Sequence, residues 1–287
     1  MKKKLLFATA LMLCAGSMMA QPAQWSKPQV LIKSSQSLMA PVWSPDGSKI
    51  AVTGDNYIGI WVANADGSSI QQVSNEPGAG YKMTWSDAHD IISTPYTMQN
   101  NRRMTRIENI DVNTGVSRVV APSERNFKRS KAIGAVNVLQ VMLDQPSQAT
   151  QLIKSLNKYA GKMILNPALS PDGTKIAFQI VSNGVWVCNA DGTNPVSLGK
   201  GAYPAWMPDS RNLVVTRLTD NGDRFTSSEL YCIDSQSGNA VCITSESNVI
   251  PVTTAVSPDG KTIAFDNDAD GYIYTINLKK STSHEKY

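Results

Sequence analysis

The sequence predicts an all-β chain: a β-propeller of six four-stranded antiparallel blades, or of five, closed by its N-terminal strand. Three observations carry this prediction. One turn motif recurs along the chain, as Trp43-Ser-Pro-Asp-Gly47, Trp85-Ser-Asp87, Leu169-Ser-Pro-Asp-Gly173, Trp206-Met-Pro-Asp-Ser210 and Val256-Ser-Pro-Asp-Gly260. Most copies lead within a few residues into a short apolar run: Ile50-Ala51-Val52, Ile91-Ile92, Ile176-Ala177-Phe178, Leu213-Val214-Val215 and Ile263-Ala264-Phe265. The copies are also spaced like blades, with steps of 42, 84, 37 and 50 residues from Trp43 onward. Self-similarity at a period near 40 marks stacked supersecondary units, each of four short strands.

The first twenty residues stand outside the repeat. Lys2, Lys3 and Lys4 precede an apolar stretch from Leu5 to Gly16, and Ala20 precedes Gln21. That pattern reads as a secretory leader, too short for a spanning helix. Cys14 raises lipoprotein anchoring as an alternative, although Leu11-Met12-Leu13 replaces the small residues such a signal needs. The expected organisation is a leader at 1–20, one propeller domain at 21–280 and a polar tail at 281–287. The three leader lysines belong to a formal net charge of +4, which leaves a mature chain of about +1. Such a chain is not expected to seek nucleic acid. It has no second apolar span and is expected to be a monomer, periplasmic or secreted.

Each blade follows from local chemistry. Ser-Pro-Asp-Gly fits a type I turn position by position, with Pro second, where its fixed φ belongs. The residue before it ends a first strand, and the apolar run after it begins a second. Third strands are expected at Ile60–Ala63, Val185–Cys188, Leu230–Ile233 and Tyr272–Thr275. Turns such as Asn64-Ala65-Asp66-Gly67 and Asn189-Ala190-Asp191-Gly192 then lead to fourth strands such as Gln71–Val73 and Arg118–Val120. The double step from Trp85 to Leu169 leaves room for an eroded blade, with strands at Val138–Leu143 and Gln151–Ile153. The last blade runs out after its third strand. Val30-Leu31-Ile32-Lys33-Ser34 is expected to supply its fourth, which closes the ring and hides open edges.

The repeat behind a leader resembles the TolB-like family of periplasmic β-propellers over essentially all of residues 28–278. That resemblance implies a WD-like propeller in the cell envelope. Propellers of this kind include the Tol-system protein, propeller domains of prolyl-oligopeptidase-type peptidases and some oligosaccharide lyases. The chain lacks the additional N-terminal α/β domain of the Tol protein, so membership of that complex is not implied.

Catalytic residues are not expected. The chain has two histidines, and His89 sits where Ser-Pro-Asp-Gly stands elsewhere, which reads as a turn residue. No nucleophile elbow, phosphate loop or Cys-x-x-Cys occurs. Trp43, Trp85 and Trp206 share one repeat position, which argues for packing between blades rather than a sugar platform. Asp266, Asp268 and Asp270 alternate before Gly271, like the first half of a calcium loop, but Asn277 replaces its closing glutamate. They read either as a calcium site, the sole cofactor suggested, or as a polar turn. Cys232 and Cys242 are expected to face one another across a hairpin, either as a disulfide or as two small apolar fillers.

Charge suggests where a partner binds. Residues 102–131 hold eight Lys and Arg against three Asp and Glu, whereas 209–270 hold ten acids against four bases. Arg102, Arg103, Arg106, Arg125, Lys128, Arg129 and Lys131 fall in long irregular connections, where binding function concentrates. The expected function is a non-catalytic binding or scaffold module for an envelope protein or an anionic glycan. The alternative is a carbohydrate-active enzyme, similar to a polysaccharide lyase, working in the propeller mouth.

Overall fold

The computed structural model describes residues 24–125, 138–245 and 247–279. The predicted leader, the tail beyond Lys279, and Lys128, Arg129 and Lys131 lie outside the described residues. β1 (Gln29–Ile32) comes first. The first blade is β2 (Leu38–Trp43), β3 (Lys49–Gly54), β4 (Ile60–Asn64) and β5 (Gln71–Ser74). The second is β6 (Thr84–Trp85), β7 (Asp90–Ser93), β8 (Tyr96–Gln99), β9 (Arg102–Asp111) and β10 (Ser117–Glu124). Two helices, α1 (Val138–Asp144) and α2 (Ala149–Leu152), and a 3-10 turn (Lys154–Tyr159) follow. The third blade is β11 (Ile164–Leu169), β12 (Lys175–Ile180), β13 (Gly184–Asn189) and β14 (Val196–Gly199). The fourth is β15 (Ala202–Trp206), β16 (Asn212–Asp220), β17 (Phe225–Asp234) and β18 (Ala240–Cys242). The fifth is β19 (Pro251–Val256), β20 (Thr262–Asn267) and β21 (Tyr272–Asn277), with β1 paired to β21 as its fourth strand.

The fold is therefore a five-bladed propeller of antiparallel sheets, closed by its N-terminal strand as expected. The six-blade count is corrected. Val138–Leu143 and Gln151–Ile153 are helical rather than strands of an eroded blade. Their apolar residues recur at helical spacing: Val138, Val141 and Met142 on α1, then Ala149 and Ile153 across α2. This face packs on Ile164, Ile176, Phe178, Ile180 and Trp186 of the third blade. At the other four boundaries blade packs directly on blade. The helices stand where the double spacing left room for another blade.

The turn motif builds a hydrogen-bonded cage. In the first blade the Ser44 hydroxyl donates to Asp46 Oδ1 at 2.6 Å and accepts from the Lys49 amide at 2.9 Å. Asp46 Oδ1 also accepts from the Ser48 amide at 3.1 Å. The same network recurs at Ser170–Lys175 and Ser257–Thr262. These turns touch around one face of the ring. A Cβ added at Gly47 would meet Pro258 at 3.5 Å, one at Gly260 would meet Pro208 at 3.1 Å, and the Asp172 amide donates to Ser210 at 3.0 Å. Gly47 and Gly260 are held at φ +71, where any side chain would be strained.

The recurring tryptophans seal the seams. Trp43 Nε1 donates to the Ala255 carbonyl at 3.2 Å, Trp85 to Val42 at 3.1 Å and Trp206 to Ala168 at 2.9 Å. Each acceptor is the second-to-last residue of the preceding blade's inner strand. The ring buries in the seam while its single polar atom crosses to the neighbour. Trp206→Phe keeps most of that apolar area and removes the second bond to the Ala168 carbonyl, which stays paired with Ala177 in the sheet. It should cost about 0.5–1.5 kcal/mol in urea unfolding, with the fold retained in far-UV circular dichroism.

Candidate functional site

The two ends of the ring differ. One end carries the short, stereotyped turns at Ser44–Ser48, Asn64–Ser68 and their equivalents. The other carries the connections between second and third strands, and those between blades. On this second end two hairpins are elongated. In the second blade β8 pairs with the start of β9, and a two-residue tip, Asn100 and Asn101, takes φ +50 and +57. Both residues being left-handed gives the turn that suits strand twist, and Asn tolerates it. In the fourth blade β16 and β17 run in register from Asn212 and Asp234 out to Thr219 and Ser227, then past a shift to Asp220 and Phe225.

The basic residues predicted for a binding rim divide. Arg102 is exposed on the hairpin, and Arg103 lies with its guanidinium 3.9 Å from the Tyr96 ring centre. Glu124 stands opposite Thr105, so the exposed Arg125 emerges beside the same hairpin. Arg106 is not free for a partner. Its guanidinium pairs with Glu108 at 2.6 Å and Glu76 at 3.4 Å, tying the hairpin root to the incoming link. Sequence charge counting could not separate it from the others, although Glu108 two residues away on the same strand face was a signal.

A groove of about 1360 Å³ opens on this end between the third, fourth and fifth blades. Lys200, Arg217, Glu229, Tyr231 and Asn248 are among its walls. Arg217 stacks 3.8 Å from the Tyr231 ring centre and donates from Nε to the Lys200 carbonyl at 3.2 Å. The Tyr231 hydroxyl donates to Glu229 at 3.1 Å. Sequence reasoning missed this groove, because its residues come from three blades.

A second feature missed in the sequence lies at the axis. Inner strands kink at an equivalent position, where Ala40, Lys82, Asn166 and Tyr203 have φ of 51, 51, 50 and 49. Three of these precede a proline, and the kink interrupts pairing between first and second strands. In the fifth blade the freed position is Thr253, whose amide donates to Asp266 Oδ1 at 2.8 Å while its hydroxyl donates to the same oxygen. Asp266 is 7% exposed, and burial raises its carboxyl to about 6. Burial also raises Tyr57 and Tyr203, with smaller contributions from neighbouring phenols and from Asp266. Tyr57 belongs to the first blade and Tyr203 to the fourth, so the two flank Asp266 of the fifth.

The calcium reading is corrected by this geometry. Asp266 belongs to β20 and is engaged by Thr253. Asp270 accepts from the Tyr272 amide, Asn267 Nδ2 and the Tyr274 hydroxyl. Asp268 is exposed, with its amide donating to the Ile250 carbonyl at 2.9 Å. Strand β20 stays extended through Asn267, so the three carboxylates do not converge. Among the described residues no group of His, Cys, Asp and Glu is placed to hold a metal.

The cysteine pairing is corrected as well. Asp234 Oδ1 accepts from the Gln236 and Ser237 amides, and the Asp234 amide, rather than Ser235, faces Asn239. That carboxylate cap lengthens the loop by one residue. Cys242 therefore stands opposite Tyr231, and Cys232 opposite Val241. A slip of one turns the two thiols to opposite faces. Cys188, Cys232 and Cys242 are all free, with burial pushing Cys188 up to about 12 and Cys232 up to about 11. His89 is a turn residue, accepting from the Val112 amide through its carbonyl at 2.8 Å.

The titrating groups set opposite pH dependences. Hydrogen bonds from Ser44 and Ser257 head the causes that hold Asp46 and Asp259 at about 2, so their contribution is lost as pH falls from about 4 to 2. Asp266 is raised instead, so the folded state favours its protonated form, and stability is lost as pH rises from about 4 to 6. Melting temperature should therefore peak near pH 4–5. Asp266→Thr, the residue at this position in the first and fourth blades, should remove the decline above the peak. It should stabilise the protein at pH 7 by up to about 3 kcal/mol. An unchanged pH profile in the variant would contradict this assignment.

Comparison with known proteins gives no family. No family model matches the chain, and no curated protein is significantly similar to it in sequence. The likeness to TolB-like propellers rests on the repeats alone. Among solved structures, the chain is similar to an oligogalacturonate lyase from Vibrio parahaemolyticus. The identity is 12% over 87% of this chain and 80% of the other, with a TM-score of 0.34. It is also similar to a chain of a mitotic checkpoint complex, at 11% identity over 97% of this chain and 99% of the other, with a TM-score of 0.44. The chain is a β-propeller of repeated blades, similar in outline to both.

Proposed function

We propose that this propeller is a non-catalytic binding module, exported to the cell envelope, that engages its partner through the end bearing the elongated hairpins. The asymmetry of the two ends carries the reading. At the turn-motif end the turns are short and repeat the same hydrogen-bonded cage in the first, third and fifth blades. The opposite end departs from the repeat in the second and fourth blades and opens a polar groove beside them. Loops that escape a repeat are free to specialise, because the scaffold beneath does not depend on their sequence. Arg102, Arg103 and Arg125 give the second-blade sector a positive edge, suited to an acidic protein surface or an anionic glycan.

Dextran sulfate, with neutral dextran as the control, tests the charge component in biolayer interferometry at rising salt. Arg102→Glu combined with Arg125→Glu should weaken dextran sulfate binding about tenfold at low salt and flatten its salt dependence. Both side chains are exposed, so stability should move by no more than about 0.5 kcal/mol. Binding that survives this change but fails when Lys175 and Lys261, beside the turn motifs, are changed to Glu would put the working surface on the other end. Cleavage of a polyuronide by the purified protein would favour an enzyme instead.

A further inference from the structure

Arg217 and Glu229 stand directly opposite one another on β16 and β17, and Tyr231 follows two residues after Glu229 on the same face. Lower on that face Val215 packs with Val185 and Val187 of the third blade. An arginine and a glutamate so placed ordinarily bond to each other. Arg106 does so with Glu108 at 2.6 Å, and Arg211 with Asp234 at 2.7 Å. Arg217 and Glu229 do not, and among the described residues neither enters an ion pair. Tyr231 takes the place of that bond. The Arg217 guanidinium lies 3.8 Å from its ring centre, while its hydroxyl donates to Glu229 at 3.1 Å. The Lys200 carbonyl fixes the guanidinium from the other side, accepting from Nε at 3.2 Å.

Both charged groups border the open groove of about 1360 Å³. Each keeps capacity for a further partner. Beyond the committed Nε–H, the guanidinium has the planar fork of its Nη groups, and the carboxylate has a second oxygen. The charged residues of the lining are balanced, Lys200 and Arg217 against Asp220 and Glu229. Such a lining gives a polyanion no net attraction. It suits a ligand that carries both signs close together. Asn183, Thr219, Ser227 and Asn248 continue the walls with amides and hydroxyls.

We propose that this groove is a receptor for the zwitterionic head of an α-amino acid, with the carboxylate on Arg217 and the ammonium on Glu229. A planar carboxylate matches the guanidinium fork, which Tyr231 and Lys200 already hold in place. A simple carboxylate would leave Glu229 unanswered, and a simple amine would leave Arg217 so. The substituent of the amino acid would lie along the remaining groove. The groove shares no residue with the basic edge near Arg102, so the two readings can fail separately.

The test follows the Arg217 Nε–H resonance by NMR, in protein labelled with nitrogen-15 arginine, as L-alanine is added at pH 7. The resonance is assigned by its loss in Arg217→Lys. Propionate and ethylammonium, each alone, supply one half of the head group. A saturable shift is expected with L-alanine, at an affinity about tenfold or more above that of either half, because a second charge-assisted bond adds to the first. Glu229→Gln should bring L-alanine down to the level of propionate, with propionate binding retained or strengthened. Glu229 is exposed, and the melting temperature of the variant verifies that it folds. No saturable shift with L-alanine would overturn the proposal. So would an affinity matched by propionate or ethylammonium, or one undiminished in Glu229→Gln.

Discussion

The bond from an indole N–H to the carbonyl of the preceding blade is the interaction on which the rest of the molecule depends. Trp43, Trp85 and Trp206 each bury a large ring in a seam, and each places its polar atom on the inner strand next door. Apolar burial alone would hold two blades together at many relative heights. The directional bond fixes one, because it must meet a particular carbonyl. Once that height is set, the turns fall into contact across the same seams, with Pro258 against Gly47 beside the Trp43 bond and the Asp172 amide on Ser210 beside the Trp206 bond. The connections at the other end are then released from structural duty.

Much of this was legible in the sequence because the signals are local. A Ser-Pro-Asp-Gly turn needs only its own residues and the first of the following strand, so each blade announces itself. The shared position of the three tryptophans likewise pointed to seams. The closing strand was found from composition, although the segment it was likened to, Leu152–Ser155, turned out to end one helix and start a 3-10 turn. The error at Val138–Leu143 has the same root. The double step from Trp85 to Leu169 asked for strands there, while the spacing of Val138, Val141 and Met142 was already helical.

What failed depends on single-residue register or on convergence from distant blades. One carboxylate cap, at Asp234, moved Cys242 from opposite Cys232 to opposite Tyr231. The alternation of Asp266, Asp268 and Asp270 looked like a metal loop, but strand geometry separates alternate side chains from the turn that follows. The axial grouping of Asp266 with Tyr57 and Tyr203 draws on three of the five blades. No window of sequence contains it. A comparison of the blades with one another could have flagged it, since Asp266 is the one charge where the other repeats place a neutral polar residue.

Hydrogen exchange of the indole N–H groups, followed by NMR on protein labelled at tryptophan, bears most directly on how the ring is held. Trp186 is an internal comparison, because its Nε1 donates at 3.2 Å to Asn183 in its own blade's exposed loop. If the seams set the architecture, Trp43, Trp85 and Trp206 should exchange only through opening of the ring, together and much more slowly than Trp186. Independent, rapid exchange of the three, at rates like that of Trp186, would show that these bonds do not hold the blades in place.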